Sequence, residues 1–264
     1  MTQQAGSLAG FDHSMFTHDG RAHEVFRAGT GPAVIVIHEM PGLHPGVVEF
    51  AQRLIDAGYT VFLPSLFGRP GEPFTNAAIR RSVAGVCISR EFTILADRTS
   101  RVATWLRALA AMALGECGGA GVGVVGMCFT GGFALATALE PAVLAAVMSQ
   151  PALPAPVSAR GRAALGLDAA DLRQIQDRTR HGLCVLGLRF TRDKGCPAGR
   201  FETLRRALGQ SFESIEIDSS PGNPHGIPST AHSVLTVDFV DEPEHPTRAA
   251  LDHVLAFLHQ QLLR

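Results

Sequence analysis

The segment Val122–Leu139 constrains the fold of this chain more than any other. It reads Val-Gly-Val-Val-Gly-Met-Cys-Phe-Thr-Gly-Gly-Phe-Ala-Leu-Ala-Thr-Ala-Leu. Val122–Val125 is a short apolar run bounded by glycine, the pattern of a strand buried on both faces of a parallel sheet. Phe133–Leu139 is rich in Ala and Leu, which favour helix. Between them stands Gly126-Met127-Cys128-Phe129-Thr130-Gly131-Gly132. A strand that turns this sharply into a helix needs glycine where a Cβ would not fit. Such a turn lifts its central side chain, here Cys128, onto the tip of a sheet. It also aims helix N-terminal amides at a reacting atom there.

The rest of the chain alternates in the same way. Residues 1–22 are polar and read as a loosely organised N-terminal extension, which leaves 23–264 as one domain. Ala33–His38, Thr60–Pro64, Val143–Met148, Leu183–Leu188 and Phe212–Ile217 read as strands. Helical periodicity covers Gly46–Ala57, stopped by Gly58, and Ala77–Leu114, with a break near Arg90–Thr93. It returns at Asp168–His181, Ala198–Leu208 and Thr247–Leu262. Pro/Gly-rich or polar loops cover Leu66–Pro73, Pro151–Ser158 and Asp218 to about Val234. Strands alternating with helices predict an α/β fold, a doubly wound, mostly parallel sheet with helices on both faces. With 264 residues, 46% of them hydrophobic, the chain can bury one sizeable core. Sheets of this kind carry their sites beyond the carboxyl ends of the strands.

Composition narrows the function. The formal net charge is −1, with one Trp and one Tyr. No basic stripe or aromatic platform suggests nucleic acid. No apolar run approaches a membrane span, and Met1–Gly10 lacks the charged start and apolar core of a signal peptide. Five cysteines, an odd number without framework spacing, fit a reduced, cytoplasmic setting. No Cys/His cluster has zinc spacing, and His38-Glu39 lacks the second histidine of a metalloprotease motif, so neither metal nor cofactor is expected. Gly121–Gly126 matches G-x-G-x-x-G but lies inside the strand, with no acidic residue about twenty positions on, so dinucleotide binding is rejected.

A thiol nucleophile needs a base, and the base needs an acid to hold its tautomer. A strand–turn–helix with glycines around a Ser or Cys is the nucleophile elbow, whose partners follow in the order nucleophile, acid, histidine. After the strand Leu183–Leu188, Asp193 is the carboxylate in the loop. After Phe212–Ile217 two histidines are available, His225 and His232. Cys87, Cys117, Cys184 and Cys196 read as small buried residues. His38 and His44 read as structural or loop residues, and His13, His18, His23, His181, His245, His253 and His259 as surface or structural ones.

On these residues the chain resembles the dienelactone hydrolase family of α/β-hydrolases. Gly126-Met127-Cys128-Phe129-Thr130-Gly131-Gly132 is similar to that family's cysteine elbow. His38-Glu39-Met40-Pro41-Gly42-Leu43 resembles its loop after an early strand, where a glutamate lies beside the thiol. Asp193-Lys194-Gly195-Cys196-Pro197 resembles its acid loop. The resemblance spans roughly Val34 to the C-terminal helix. It implies the α/β-hydrolase fold, a triad of Cys128, Asp193 and His232 with Glu39 as fourth member, and an oxyanion hole from the backbone N–H groups of Met40 and Phe129. The family's histidine segment is short, whereas the loop here is expanded. His232 is preferred because its distance to the closing helix fits the family. His225 follows the strand at the more usual distance and stays open.

The implied activity is hydrolysis of a small-molecule carboxylic ester or lactone through a thioester, by a monomer or small homo-oligomer. Glu39 is expected to hold the resting thiol. Arg69, Arg90 and Arg189 are candidates to bind an anionic substrate, and Ser219–Ala231 and Phe67–Thr75 to shape the pocket. A thioesterase or acyltransferase on the same triad, a non-catalytic ligand- or redox-sensing protein and a peptidase are the alternatives.

Overall fold

Eight strands form one sheet: β1 (Asp12–His18), β2 (Arg21–Ala28), β3 (Ala33–Ile37), β4 (Thr60–Ser65), β5 (Val122–Met127), β6 (Val143–Ser149), β7 (Cys184–Phe190) and β8 (Phe212–Ile217). Their order across the sheet is β1-β2-β4-β3-β5-β6-β7-β8. The structure, a computed structural model, describes residues 6–88, 100–152 and 163–263. The helical break expected near Arg90–Thr93, Arg90 itself and most of the Pro151–Ser158 loop lie outside those residues. The described helices are α1 (Pro45–Asp56), α2 (Asn76–Ile88), α3 (Arg101–Cys117), α4 (Gly131–Thr137), α5 (Ala169–Arg180), α6 (Ala198–Leu208) and α7 (Pro246–Leu262). None of them is long and apolar enough to cross a membrane.

The doubly wound arrangement follows from the strands being apolar on both faces. In β3, Ala33, Ile35 and Ile37 enter one core and Val34 and Val36 the other. Burying each such side chain contributes about 1.5–3 kcal/mol over leaving it exposed. On the first face α3 packs Val102, Trp105, Leu106, Leu109 and Ala113, and α6 packs Phe201 and Leu204. On the second, α1 packs Val47, Phe50, Ala51 and Leu54, and α7 packs Leu251, Val254 and Leu258. These spacings of three and four are single helical stripes. Pro45 opens α1, where its missing N–H costs nothing. Gly58, at φ +89°, follows its end.

The two N-terminal strands correct the sequence reading. Residues 12–22 are not a loose extension. β1 and β2 pair antiparallel from Asp12↔Arg27 to His18↔Arg21, and β2 pairs antiparallel with β4. The turn between them is Asp19-Gly20, with φ of +48° and +70°, the tight turn that Asp-Gly favours between twisted strands. The hairpin is tied down by Trp105, whose Nε1 donates to Phe16 O at 3.3 Å. Its ring meets Phe16 edge-on at 5.2 Å.

From β3 onward the pairing is parallel. β3 lies between β4 and β5, and the chain leaves β3 and β5 toward opposite faces, into α1 and α4. That divergence makes the carboxyl ends of β3 and β5 the topological switch point, the place where α/β sheets bind ligands. The Glu39–His44 loop enters it from β3, and Cys128 enters it from β5.

Candidate active site

Cys128 sits at φ +53°, in the left-handed region a side chain rarely adopts. The surrounding contacts hold it there. A Cβ on Gly126 would lie 2.5 Å from Thr130 O and 3.0 Å from the Ala134 Cβ, so only glycine lets α4 sit this close to β5. Thr130 occupies the position of the second glycine in the common G-x-S-x-G elbow. Its hydroxyl accepts from Met127 N at 3.0 Å and donates to Ile37 O at 2.8 Å, pinning the turn to β3. The close approach on that side falls instead to Gly131, whose added Cβ would meet Pro151 Cα at 2.7 Å. Phe129 follows Cys128 in a 3₁₀ turn that runs into α4, which places its backbone N–H at the elbow.

Asp193 and one of the two histidines meet. Asp193 is buried after β7, and its Oδ2 accepts from His232 Nδ1 at 2.7 Å. Its Oδ1 accepts from Gly195 N at 2.8 Å, which fixes the carboxylate plane. A Cβ on Gly195 would lie 3.3 Å from His232 Cε1, so the acid loop passes directly under the ring. Cys128 lies close enough to raise the His232 pKa, and Nε2 is the ring nitrogen that Asp193 leaves free. Burial pulls the His232 pKa down, but the hydrogen bond to Asp193 and the nearness of Cys128 outweigh it and raise the pKa to about 11. The segment carrying His232 is closed by Asp238, whose Oδ2 accepts from His232 N at 2.8 Å and Ser233 N at 2.9 Å. His225 is elsewhere. It is exposed, and its ring meets His245 edge-on at 5.6 Å.

Glu39 and its neighbours form a buried polar cluster behind this row. His38 is fully buried. Its Nδ1 donates to Glu39 O at 3.0 Å, and its Nε2 accepts from Leu66 N at 3.0 Å. Burial lowers its pKa to about 4, so it is a neutral structural histidine, as expected. The Glu39 carboxylate accepts from His44 Nε2 at 3.3 Å and from the Thr236 hydroxyl through Oε1. Through Oε2 it accepts from Ser233 Oγ at 2.7 Å and Gln150 Nε2 at 3.2 Å. Burial pushes its pKa up, yet the bonds from His44, Thr236 and Ser233 hold it below the ordinary carboxylate range. Among the described residues the Cys128 thiol is not one of its partners, which departs from the expectation that Glu39 holds it.

The candidate cations part ways as well. Arg189 is 3% exposed. It donates to Cys196 O at 2.9 Å, Thr191 O at 2.9 Å and the Glu216 carboxylate, so it braces β7 and the acid loop and is not free for a substrate anion. Arg69 is exposed in the loop after β4, and Arg90 is outside the described residues. Arg200, buried, donates to Ala164 O at 2.8 Å and to Pro151 O, joining the acid loop to the segment after β6. In the loop expected to shape the pocket, Phe67 packs against His38 at 4.4 Å and Phe129 at 6.3 Å, and Phe74 packs on His44 at 5.2 Å. Cys196 is a buried thiol whose pKa is pushed up to about 12 by burial and the Asp193 charge. Among the described residues no group of three His, Cys, Asp or Glu could hold a metal ion.

Gln150, Ser233, Thr236, Asp238 and the role of His44 were not read from the sequence. Ser233 and Thr236 meet Glu39 across 194 and 197 residues, and Gln150 across 111. No local pattern carries such a pairing. One signal was available for Gln150. It follows β6 at the carboxyl edge of the sheet, where sites of this fold lie.

The model of the family described as the dienelactone hydrolase family matches residues 20–262. A curated protein of Methylorubrum extorquens that carries the provisional name carboxymethylenebutenolidase is 28% identical over 193 residues, covering 71% of this chain and 61% of that protein. A solved structure from Klebsiella pneumoniae, provisionally named a dienelactone hydrolase, aligns at a TM-score of 0.60 and 20% identity, over 95% of this chain and 98% of its own. A dienelactone hydrolase-like promiscuous phosphotriesterase from metagenomic libraries aligns at 0.61 and 18% identity, over 96% and 98%. At these identities the structural likenesses establish the shared fold.

Proposed function

Because the chain belongs to the dienelactone hydrolase family, we propose that it hydrolyses a small-molecule carboxylic ester or lactone through Cys128, His232 and Asp193. One observation carries this reading: His232 Nδ1 donates to the Asp193 carboxylate at 2.7 Å, and Cys128 is near enough to the same ring to raise its pKa. His232 takes the Cys128 thiol proton, and the sulfur attacks the acyl carbon as thiolate. The carbonyl oxygen becomes an oxyanion facing the Met40 and Phe129 amides. As the intermediate collapses, the C–O bond breaks and His232 gives its proton to the leaving alkoxide. A thioester on Cys128 remains. His232, now neutral, takes a proton from water, whose oxygen attacks the thioester carbon. The acid is released as the sulfur leaves, and His232 returns its proton to the sulfur. Asp193 keeps the ring oriented and offsets its charge throughout.

The test is p-nitrophenyl acetate hydrolysis by the native chain and by Cys128→Ala. Turnover should fall by a factor of roughly 10³ or more in the variant, with an unchanged circular dichroism spectrum, and iodoacetamide should abolish it in the native chain. Full turnover by Cys128→Ala would remove the nucleophile assignment. A native chain that alkylates at Cys128 yet hydrolyses no ester would favour a ligand- or redox-sensing role.

A further inference from the structure

The Glu39 carboxylate has no acceptor capacity left over. An ionised carboxylate offers about four lone-pair sites, and four side-chain donors occupy them: His44 and Thr236 on Oε1, Ser233 and Gln150 on Oε2. These donors come from the start of α1, the end of β6 and the loop between β8 and α7. Building on the hydrolase reading above, we propose that Glu39 is a positioning residue, whose carboxylate ties the loop carrying His232 to the loop carrying Met40 and so sets the distance between base and oxyanion amide.

Chain adjacency makes the coupling direct. Ser233 follows His232, and Met40 follows Glu39, so each partner is one residue from a reacting group. Asp238 closes the His232 segment on itself by accepting from His232 N and Ser233 N. Ser233 and Thr236 then hang that closed segment from Glu39. On the other side His38, bonded to Glu39 O and Leu66 N, holds the base of the Glu39 loop. Glu39 is 1% exposed, so losing a donor leaves a buried charge short of a partner, and water cannot replace it cheaply. For the carboxylate to hold a thiol proton, one of the four donors would have to leave. The held pKa below the ordinary range points the same way, toward an anion that stays ionised.

The experiment compares Glu39→Gln, Ser233→Ala and Thr236→Val with the native chain. It measures kcat and KM for p-nitrophenyl acetate and the rate of Cys128 alkylation by iodoacetamide. Glu39→Gln should lower kcat about 10- to 100-fold at nearly unchanged KM, as expected when reacting groups are displaced but the pocket remains. Each hydroxyl variant should lower kcat several-fold, and neither should lower it further in the Glu39→Gln background, because all three cut one tether. Thr236→Ser should restore the native rate. Alkylation should change in the same direction in all three, since each loosens His232. The proposal is overturned if Ser233→Ala and Thr236→Val turn over and alkylate at native rates while Glu39→Gln alone is impaired, the signature of a thiol-holding carboxylate. If Glu39→Gln fails to fold, the two hydroxyl variants still decide. Cys128→Ala runs alongside: turnover surviving there would be a failure of the hydrolase reading and not of the tether.

Discussion

Single residues carry unequal amounts of information. Cys128 stands out because its demand is local: a left-handed backbone, a strand before it, a helix after it and glycine at Gly126 all lie within a few positions. Asp193 was expected as the acid from its place after β7 together with chain order. The choice between His225 and His232 was not legible, because both follow β8 in one long loop and nothing nearby in sequence separates them. Geometry separates them through Asp193, 39 residues from His232 along the chain. His232→Ala should therefore lower ester turnover by a factor of 10² to 10⁴, on the order expected for a lost general acid–base. His225→Ala should stay near the native rate. Comparable losses in kcat for both variants would count against placing the base at His232.

At the level of elements, the turn from β5 to α4 depends on how closely two backbones approach. A methyl on Gly126 would fall on Thr130 O, which is backbone and cannot swing away. Gly126→Ala should destabilise the protein by about 1–3 kcal/mol through overpacking, and it should lower activity more than stability explains by moving Cys128. Urea denaturation and kcat on the same sample would test both parts. The limits of α1 and α6 followed the apolar stripes to within a residue. The hairpin of β1 and β2 was missed because β1 is mostly exposed, so its side chains lack the apolar signature of the central strands. Its Asp19-Gly20 turn was the legible cue.

For the whole molecule, two buried groups limit stability on the acid side and one site pair on the alkaline side. His38 has a folded pKa near 4 against an ordinary 6.5, so the unfolded chain binds its proton first and stability falls as pH drops from 6.5 toward 4. Its share is on the order of 3 kcal/mol. Glu39, held below the ordinary carboxylate range, adds to the loss as pH falls further. His232, raised to about 11, contributes fully below pH 6.5 and loses its contribution as pH climbs toward 11. Stability measured by urea unfolding should thus peak near neutral pH and fall on both sides. His38→Gln should flatten the acid limb, and an unchanged limb would place the acid sensitivity elsewhere.

Periodicity, glycine placement and chain order were enough to specify an α/β sheet wound on both faces and a thiol raised at the end of β5. All of these depend on neighbours a few residues apart, where steric and hydrophobic preferences act directly. Which imidazole meets Asp193, and where the Glu39 carboxylate finds three of its four donors, became settled when β3, β6 and the β8–α7 loop came together. A buried anion takes whatever donors the folded chain delivers to it, and donors more than a hundred residues away leave no mark on the local pattern.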